Sequence, residues 1–210
     1  MQWFWDVPVV TRSYLGLVTL VTLATYISLL RPYLLFFSPA LIAKGEWYRL
    51  FSTFFYMGPF SMDWFLHTYF LFKYMEGLEL ALRTPDFTFM LVILASLITL
   101  VSLMFPTPFL SNCLVFALTY LWSRRNPDVQ MGLFGIINFR AMYLCWVLVG
   151  FSVLVQSALP YHDLVGLFAG HVYFYLKDVY PKLQASGGAE PLKTPRFLVI
   201  MLQGEHDHDE

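Results

Sequence analysis

Charge is what this chain has least of. Only 13% of its 210 residues are charged, against 58% hydrophobic and 19% aromatic, too little polar surface to clothe a soluble globule of this size. The formal net charge of -1 leaves no overall basic balance, which argues against nucleic acid as a partner. Cysteine is nearly absent: Cys113 and Cys145 both fall in apolar stretches, where they read as filler and not as a disulfide. No glycine-rich phosphate loop, CxxC metal pattern or serine–histidine pair at a recognisable spacing occurs, so the residues alone disfavour an enzyme, and no cofactor or metal is expected.

What the chain does have is long apolar runs. Measured against the ~20 residues needed to cross a hydrocarbon core of ~30 Å, they give an all-α membrane protein with six candidate transmembrane helices. These lie at about 13–30, 63–82, 87–105, 109–122, 141–157 and 164–180. The fourth is short, ~21 Å at 1.5 Å per residue, so it either extends through Pro108 or sits in a thinned bilayer. Helix breakers with polar or turn residues separate the runs at Arg31-Pro32, Gly58-Pro59, Arg83-Thr-Pro85, Pro106-Thr-Pro108, Asn126-Pro127 and Leu159-Pro160.

The few cations orient the chain. With a cytosolic N-terminus, only Arg31, Lys44 and Arg49 of the 13 Lys and Arg residues fall on the far side. Both termini are therefore expected in the cytosol, with the first run a retained signal anchor. Arg124, Arg125, Asn126, Pro127, Asn138 and Arg140 belong to the single interior loop where cations gather around turn residues, which places that loop in the cytosol too. Residues 1–181 form the membrane domain; residues 182–210 read as a flexible cytosolic tail, whose His206 and His208 are unsupported as metal ligands.

The segment 33–60 is nearly as apolar as a span yet holds Pro39, Gly45, Gly58 and Pro59. Trp47, Leu50, Phe51, Phe54 and Phe55 recur with helical period, while Arg49, Ser52 and Thr53 fall on the other side. The pattern predicts an interfacial luminal helix; a re-entrant piece buried against the other helices is the alternative. Hydroxyls at Thr19, Thr22, Thr25 and Ser28, and at Ser96, Thr99 and Ser102, read either as a polar seam or as groups bonding their own backbone.

Ionisable groups inside a membrane are candidates for function, since each costs ~2.5–3.5 kcal/mol at the centre of a helix. Asp63 and His67 lie one turn apart in the second run, as a wet pocket or as interfacially solvated groups, with Lys73, Glu76 and Glu79 nearer the cytosol, where they can snorkel or pair. In the sixth run, Gly166 and Gly170 have the spacing that lets a neighbouring helix approach closely, with Asp163 before them and His171 after. A neutral His171 bonded to an adjacent helix is the plain reading beside a functional one.

The succession Tyr120-Leu-Trp-Ser-Arg-Arg-Asn-Pro127, then Met131-Gly-Leu-Phe-Gly-Ile-Ile-Asn-Phe139 and Trp146-Val-Leu-Val-Gly-Phe-Ser152, resembles the derlin family. Val7-Pro-Val-Val-Thr-Arg-Ser-Tyr14, Phe37-Ser-Pro-Ala-Leu-Ile42, Phe87-Thr-Phe-Met90 and Gly170-His-Val-Tyr-Phe-Tyr-Leu-Lys-Asp-Val-Tyr-Pro181 agree in the same order, so the resemblance covers roughly residues 7–195. It implies a rhomboid-like fold in the endoplasmic reticulum membrane and a pseudoprotease. Active rhomboids carry a Gly-x-Ser-Gly serine at the fourth helix and a histidine three residues before the paired glycines of the sixth. Here Phe109-Leu-Ser-Asn-Cys113 lacks those glycines, and Asp163 stands where the histidine would be.

The resemblance further implies a non-catalytic part in endoplasmic-reticulum-associated degradation. Misfolded luminal or membrane chains would pass to the cytosol through a lateral gate between the second and fifth helices, aided by a thinned bilayer. The gate and luminal groove would draw on Asp63, His67, Thr68, Trp146 and Gln156. Trp47, Tyr48 and Arg49 resemble the family's Trp-Arg motif with the tryptophan displaced by one residue. The implied partners are a membrane-embedded RING ubiquitin ligase with its scaffold and luminal adaptor subunits, and a cytosolic AAA ATPase. Without the glycine-rich, arginine-containing box of longer derlins, the chain looks like the short fungal type, reaching the ATPase indirectly. A homo-oligomer stays open. Competing readings are an active intramembrane protease using Ser111 and His171, and a small-solute or proton transporter using Asp63 and His67; the absence of inverted repeats speaks against the latter.

Overall fold

The computed structural model describes residues 7–105, 107–133, 137–156, 159–183 and 191–203. Its principal helices are α1 (Val9–Tyr26), α2 (Met62–Ala81), α3 (Thr84–Ser102), α4 (Ser111–Arg125), α5 (Leu144–Gln156), α6 (Tyr161–Phe174) and α7 (Arg196–Gln203). One-turn helices at Pro32–Leu35, Pro39–Ile42 and Arg49–Ser52 connect α1 to α2.

The chain is helical as expected, with one short sheet added among the described residues. The loop after α4 forms an antiparallel hairpin of β1 (Gln130–Leu133) and β2 (Ile137–Arg140). In its register Met131 pairs with Phe139 and Leu133 with Ile137; Met131 and Phe139 pack on the core. The Ala141 amide donates to the Val129 carbonyl at 2.8 Å and closes the ribbon.

The helices are also less equal than the apolar runs suggest. α1 and α3 are long and apolar enough to cross a membrane. α2 has 20 residues but includes Asp63, Lys73, Glu76 and Glu79. α4, α5 and α6, with 15, 13 and 14 residues, are only ~20–22 Å long. α1 ends at Tyr26, four residues before the expected 30, because Ser28 adopts φ 61 and the amides of Leu29 and Leu30 both turn back to the Ala24 carbonyl. α3 starts at Thr84 because Pro85 is pre-set for a first helical turn. α4 neither includes Pro108 nor stops at Trp122; it runs from Ser111 to Arg125.

α4 is the axis of the molecule. Ser111, every residue from Cys113 to Leu121, and Ser123 are buried. The outside is apolar as well, with Leu17, Leu20, Leu23, Val92, Leu100 and Leu154 exposed. Close packing and buried hydrogen bonds therefore decide which helices meet, not separation of apolar from polar.

α6 makes the most extensive contact with α4, and its glycines permit it. A β-carbon at Gly166 would run into the Cys113 carbonyl and come within 2.8 Å of Phe116 Cβ; one at Gly170 would sit 3.0 Å from the Ala117 carbonyl oxygen. On the opposite side, Gly77 of α2 gives way to the Trp122 indole, which also lies 5.2 Å from the Tyr74 ring. α1 leans on α2: the Trp64 indole N–H donates to Thr22 Oγ1 at 3.1 Å.

Glu79 differs from its expected role as a snorkelling or interface-paired residue. It is buried, and its carboxylate accepts the Val10 amide (3.0 Å), the Thr11 amide (2.8 Å) and the Thr11 hydroxyl (2.7 Å). Pro8 precedes α1 without a side-chain cap, so a carboxylate from α2 takes the orphan donors and the positive end of the α1 dipole.

The tail, too, is partly built into the fold. After Pro181, residues 191–203 return to the bundle: Lys177 Nζ donates to the Leu192 carbonyl at 2.9 Å, the Thr194 hydroxyl donates to Asp86 at 2.5 Å, and α7 packs on α3. His206 and His208 lie outside the described residues.

Candidate functional site

The loop between α1 and α2 sets one end of the site. The expected helical stretch over 47–55 forms as one turn of α-helix, Arg49–Ser52, continued at both ends by i→i−3 turns such as Leu50 N–H to Trp47 and Phe55 N–H to Ser52, and Gly45 (φ 104) and Gly58 (φ 106) turn the chain sharply on either side of it. Trp47, Tyr48 and Phe51 are exposed as an interfacial helix requires, but Phe54, Tyr56, Met57 and Thr53 are buried against the helices, as in the re-entrant alternative.

Arg49 anchors this loop. Its side chain is 3% exposed, its Nε donates to Glu46 at 2.6 Å, and one terminal nitrogen donates to the carbonyls of Tyr33 (2.8 Å) and Phe36 (3.0 Å), while Tyr48 lies under the guanidinium. Five planar donors suit a residue that must gather several carbonyls at once. The hydrogen bond from Arg49 holds the exposed Glu46 carboxyl below its ordinary range, and desolvation raises the Tyr48 hydroxyl above its own. The loop is then stitched to the start of α4: Phe37 N–H to the Pro108 carbonyl (2.9 Å), Leu110 N–H to Thr53 Oγ1 (3.2 Å), and the Ser111 hydroxyl to the Tyr56 carbonyl (2.5 Å).

Beneath it lies a cavity of about 130 Å³ between α2, α4, α5 and α6. Most of its lining is apolar, from Leu66, Phe70, Val115, Phe116, Leu148 and Phe151, but His67, Thr119, Ser152, His162 and Asp163 interrupt it. His162 Nε2 stands 3.3 Å from Asp163, whose side chain is buried. α2 and α5 have no substantial contact with each other, and α5 exposes Trp146, Phe151, Val153 and Leu154. The chamber thus sets hydrogen-bonding groups in a wall of otherwise apolar side chains where α2 and α5 do not pack on each other.

Of the residues singled out from sequence, His67 lines this chamber. Thr68 does not: its hydroxyl lies 3.8 Å from the Met57 sulfur and it borders an outer groove against α1. Trp146 is exposed on α5, away from the cavity. The side chains of Asp63 and Gln156 lie outside the described residues. Sequence reasoning passed over Thr119, Ser152 and His162; Asp163 was named as an ionisable group beside the paired glycines and as the residue standing where a rhomboid base would be. An ionisable residue on an apolar helix was the available signal for His162 and Asp163. Nothing local marks Thr119 or Ser152.

The hydroxyl ridges are not a polar seam. Thr19, Thr22, Thr25, Ser96 and Thr99 each donate to a carbonyl three or four residues back in their own helix. His171 takes the plain reading as well: its Nδ1 shares a 2.6 Å hydrogen bond with the Tyr120 hydroxyl of α4. Ser111 and Tyr120 are nine residues apart, ~13.5 Å along α4, so Ser111 and His171 serve different ends of the bundle.

At the other end, Arg124 lies over the rings of Tyr120 and Phe174, Arg125 pairs with Asp178 at 3.0 Å, and the Asn126 side chain donates to the Trp122 carbonyl. These residues tie the C-terminus of α4, where positive charge also suits the helix dipole, to Phe174 at the end of α6 and to Asp178 in the π-helical turn Tyr175–Val179 that follows it. Pro127 sits in the following turn and Asn138 in β2 opposite Gly132. Cys113 and Cys145 are both buried and free. Among the described residues, no group of three His, Cys, Asp or Glu side chains is placed to hold a metal ion.

A model of the Der1-like family matches residues 7–196. The chain belongs to this family. It is 39% identical to Derlin-2.2 of Zea mays over 220 residues, covering 98% of this chain and 87% of that protein. It is 37% identical to Derlin-2.2 of Arabidopsis thaliana over 219 residues (97% and 88%), and 32% identical to a probable derlin-2 homolog of Dictyostelium discoideum over 215 residues (97% and 83%). In this chain Trp47 and Tyr48 are exposed on the loop between α1 and α2 with Arg49 buried beside them, and Gly166 and Gly170 lie at the α4–α6 contact.

Proposed function

We propose that this derlin is a non-catalytic component of endoplasmic-reticulum-associated degradation that helps misfolded luminal or membrane polypeptides reach the cytosol. α1 to α6 cross the endoplasmic reticulum membrane with both termini cytosolic, and the gap between α2 and α5 is the lateral gate. The observation that carries the reading is the chamber lined by His67, Thr119, Ser152, His162 and Asp163 at that gap. A polypeptide backbone in hydrocarbon costs several kcal/mol per unsatisfied group, and polar side chains beside short helices lower that barrier. A membrane RING ligase with its scaffold and luminal adaptor, and an AAA ATPase reached through them, supply ubiquitin and pulling force.

The same geometry favours a pseudoprotease. Ser111 gives its proton to the Tyr56 carbonyl, and His171 is engaged by Tyr120 far along α4, so a nucleophile with an adjacent base is not assembled from them. A photocrosslinker placed at Leu66 or Leu148 in native membranes tests the gate. An adduct with a misfolded substrate is expected from both positions. Adducts with lipid alone, while that substrate is degraded at the normal rate, would remove the gate from the pathway.

A further inference from the structure

A second site lies away from the chamber, at the end of the bundle where α2 turns into α3 and α6 ends. Arg83, Lys177 and Lys193 surround a cavity of about 300 Å³ whose remaining wall is Pro85, Asp86, Thr194 and Val199. Arg83 and Lys193 are exposed and Lys177 half-buried. Asp86 is the one acid in the lining, and it already accepts the Thr194 hydroxyl at 2.5 Å. Lys177 is held in place by its bond to the Leu192 carbonyl. Three cations from separate parts of the chain therefore converge on one opening, with a single engaged carboxylate among them.

The helix beside this opening is unusual. α7 packs on α3, with Leu198, Val199 and Leu202 half-buried, yet Phe197, Ile200 and Met201 are 63%, 75% and 70% exposed. These three are spaced i, i+3 and i+4 and so form one face. An apolar helix face beside a cationic pocket has the two features of an interfacial membrane contact: side chains for the acyl boundary and charges for the headgroup phosphates.

We propose that Arg83, Lys177 and Lys193 bind the headgroup phosphate of an anionic glycerophospholipid, while Phe197, Ile200 and Met201 of α7 lie in the adjoining acyl boundary. A phosphate monoester headgroup supplies the charge and oxygen acceptors that three convergent cations satisfy. Bound lipid would hold residues 191–203 on the bundle, bridging the end of α6 to the start of α3. The proposal rests on the membrane reading of the helices but not on the translocation reading.

The test uses the full chain in nanodiscs of phosphatidylcholine, titrated with fluorescent dioctanoyl phosphatidylinositol 4-phosphate and read by anisotropy. Saturable binding is expected, uncompeted by dioctanoyl phosphatidylcholine and competed by inorganic phosphate only at far higher concentration. The double variant Arg83→Gln with Lys193→Gln changes two exposed side chains and should weaken binding roughly tenfold or more. The triple variant Phe197→Ser, Ile200→Ser, Met201→Ser should weaken it without touching the cations. Equal binding by wild type and the charge variant, or equal competition by inorganic phosphate, would overturn the proposal; the latter would mark a free-phosphate site. No substrate or ligase is present, so the outcome is independent of the gate crosslinks.

Discussion

The contact between α4 and α6 makes a quantitative prediction, because glycines in equivalent helices face different amounts of space. Alanine gains about 1 kcal/mol over glycine inside a helix from backbone entropy, so an alanine in open space stabilises. At Gly150 of α5 nothing lies within 4 Å of an added β-carbon, and Gly150→Ala should raise stability by about that amount. At Gly170 the nearest atom is the Ala117 carbonyl oxygen at 3.0 Å, so α4 must yield by a few tenths of an ångström. Strain and propensity then nearly cancel, and Gly170→Ala should be close to neutral. At Gly166 the obstacles are the Cys113 carbonyl and Phe116 Cβ at 2.8 Å, on a helix buried along almost its whole length. A backbone carbonyl cannot swing aside as a side-chain tip can, so the overpacking cost falls at or above the upper end of ~1–3 kcal/mol. Gly166→Ala should therefore lose roughly 2 kcal/mol net of the propensity gain. Unfolding by SDS titration in mixed micelles, followed by tryptophan fluorescence, gives the order Gly150→Ala, wild type and Gly170→Ala together, then Gly166→Ala. A Gly166→Ala protein as stable as wild type would refute the close α4–α6 approach; a larger loss at Gly170 than at Gly166 would shift its point of closest contact.

Glu79→Ala should cost about 1–3 kcal/mol in the same assay, since it strands the Val10 and Thr11 donors at the buried start of α1; a loss no larger than that of Glu76→Ala would remove the capping role. Glu46 has a folded-state pKa below its ordinary 4.5 because Arg49 bonds its ionised form, so its stabilising pairing is complete above that value and lost as pH falls through the lowered one. Trp47 emission should hold steady from neutral pH down to about 5 and change only below the ordinary carboxylate range, with the change absent in Glu46→Gln; a transition near pH 6, or one surviving in Glu46→Gln, would assign it to another group. Ser111→Ala should leave substrate half-life unchanged and cost about 0.5–1.5 kcal/mol through loss of the bond to Tyr56. Purified protein that cleaves a transmembrane peptide, and stops doing so with Ser111→Ala, would replace the non-enzymatic reading.

Much of the bundle was legible because helix breakers and helix periods act locally. Pro85 marked the boundary before α3, expected from 87, although the helix takes the proline into its first turn and begins at Thr84; the spacing of Gly166 and Gly170 announced a close helix contact without naming its partner. The β1–β2 hairpin was not legible, because strands of four residues are too short for a period of two to stand out from a cation-bearing turn. The helical period around Arg49 was legible, with Gly45 and Gly58 bounding it; that Thr53 and Phe54 are buried against the helices while Trp47 and Phe51 stay exposed was not, because it depends on how the loop docks on α4. For the chamber, His67 could be named from its place in an apolar run; Thr119, Ser152 and His162 could not, since their facing one volume depends on how four helices cross.

By itself the sequence determined the apolar character of the chain, its family, most helix positions and the small residues that admit close contact, because each is written in composition or in spacings within a few turns. Only the tertiary structure decided that Glu79 caps a helix more than sixty residues earlier in the chain, that Arg49 gathers distant carbonyls, that α4 is buried on every side, and that α2 and α5 stand apart. Those outcomes turn on which buried donor reaches which acceptor and which backbone can approach which. In a protein that exposes so many large apolar side chains, hydrophobic pattern alone cannot rank the alternatives.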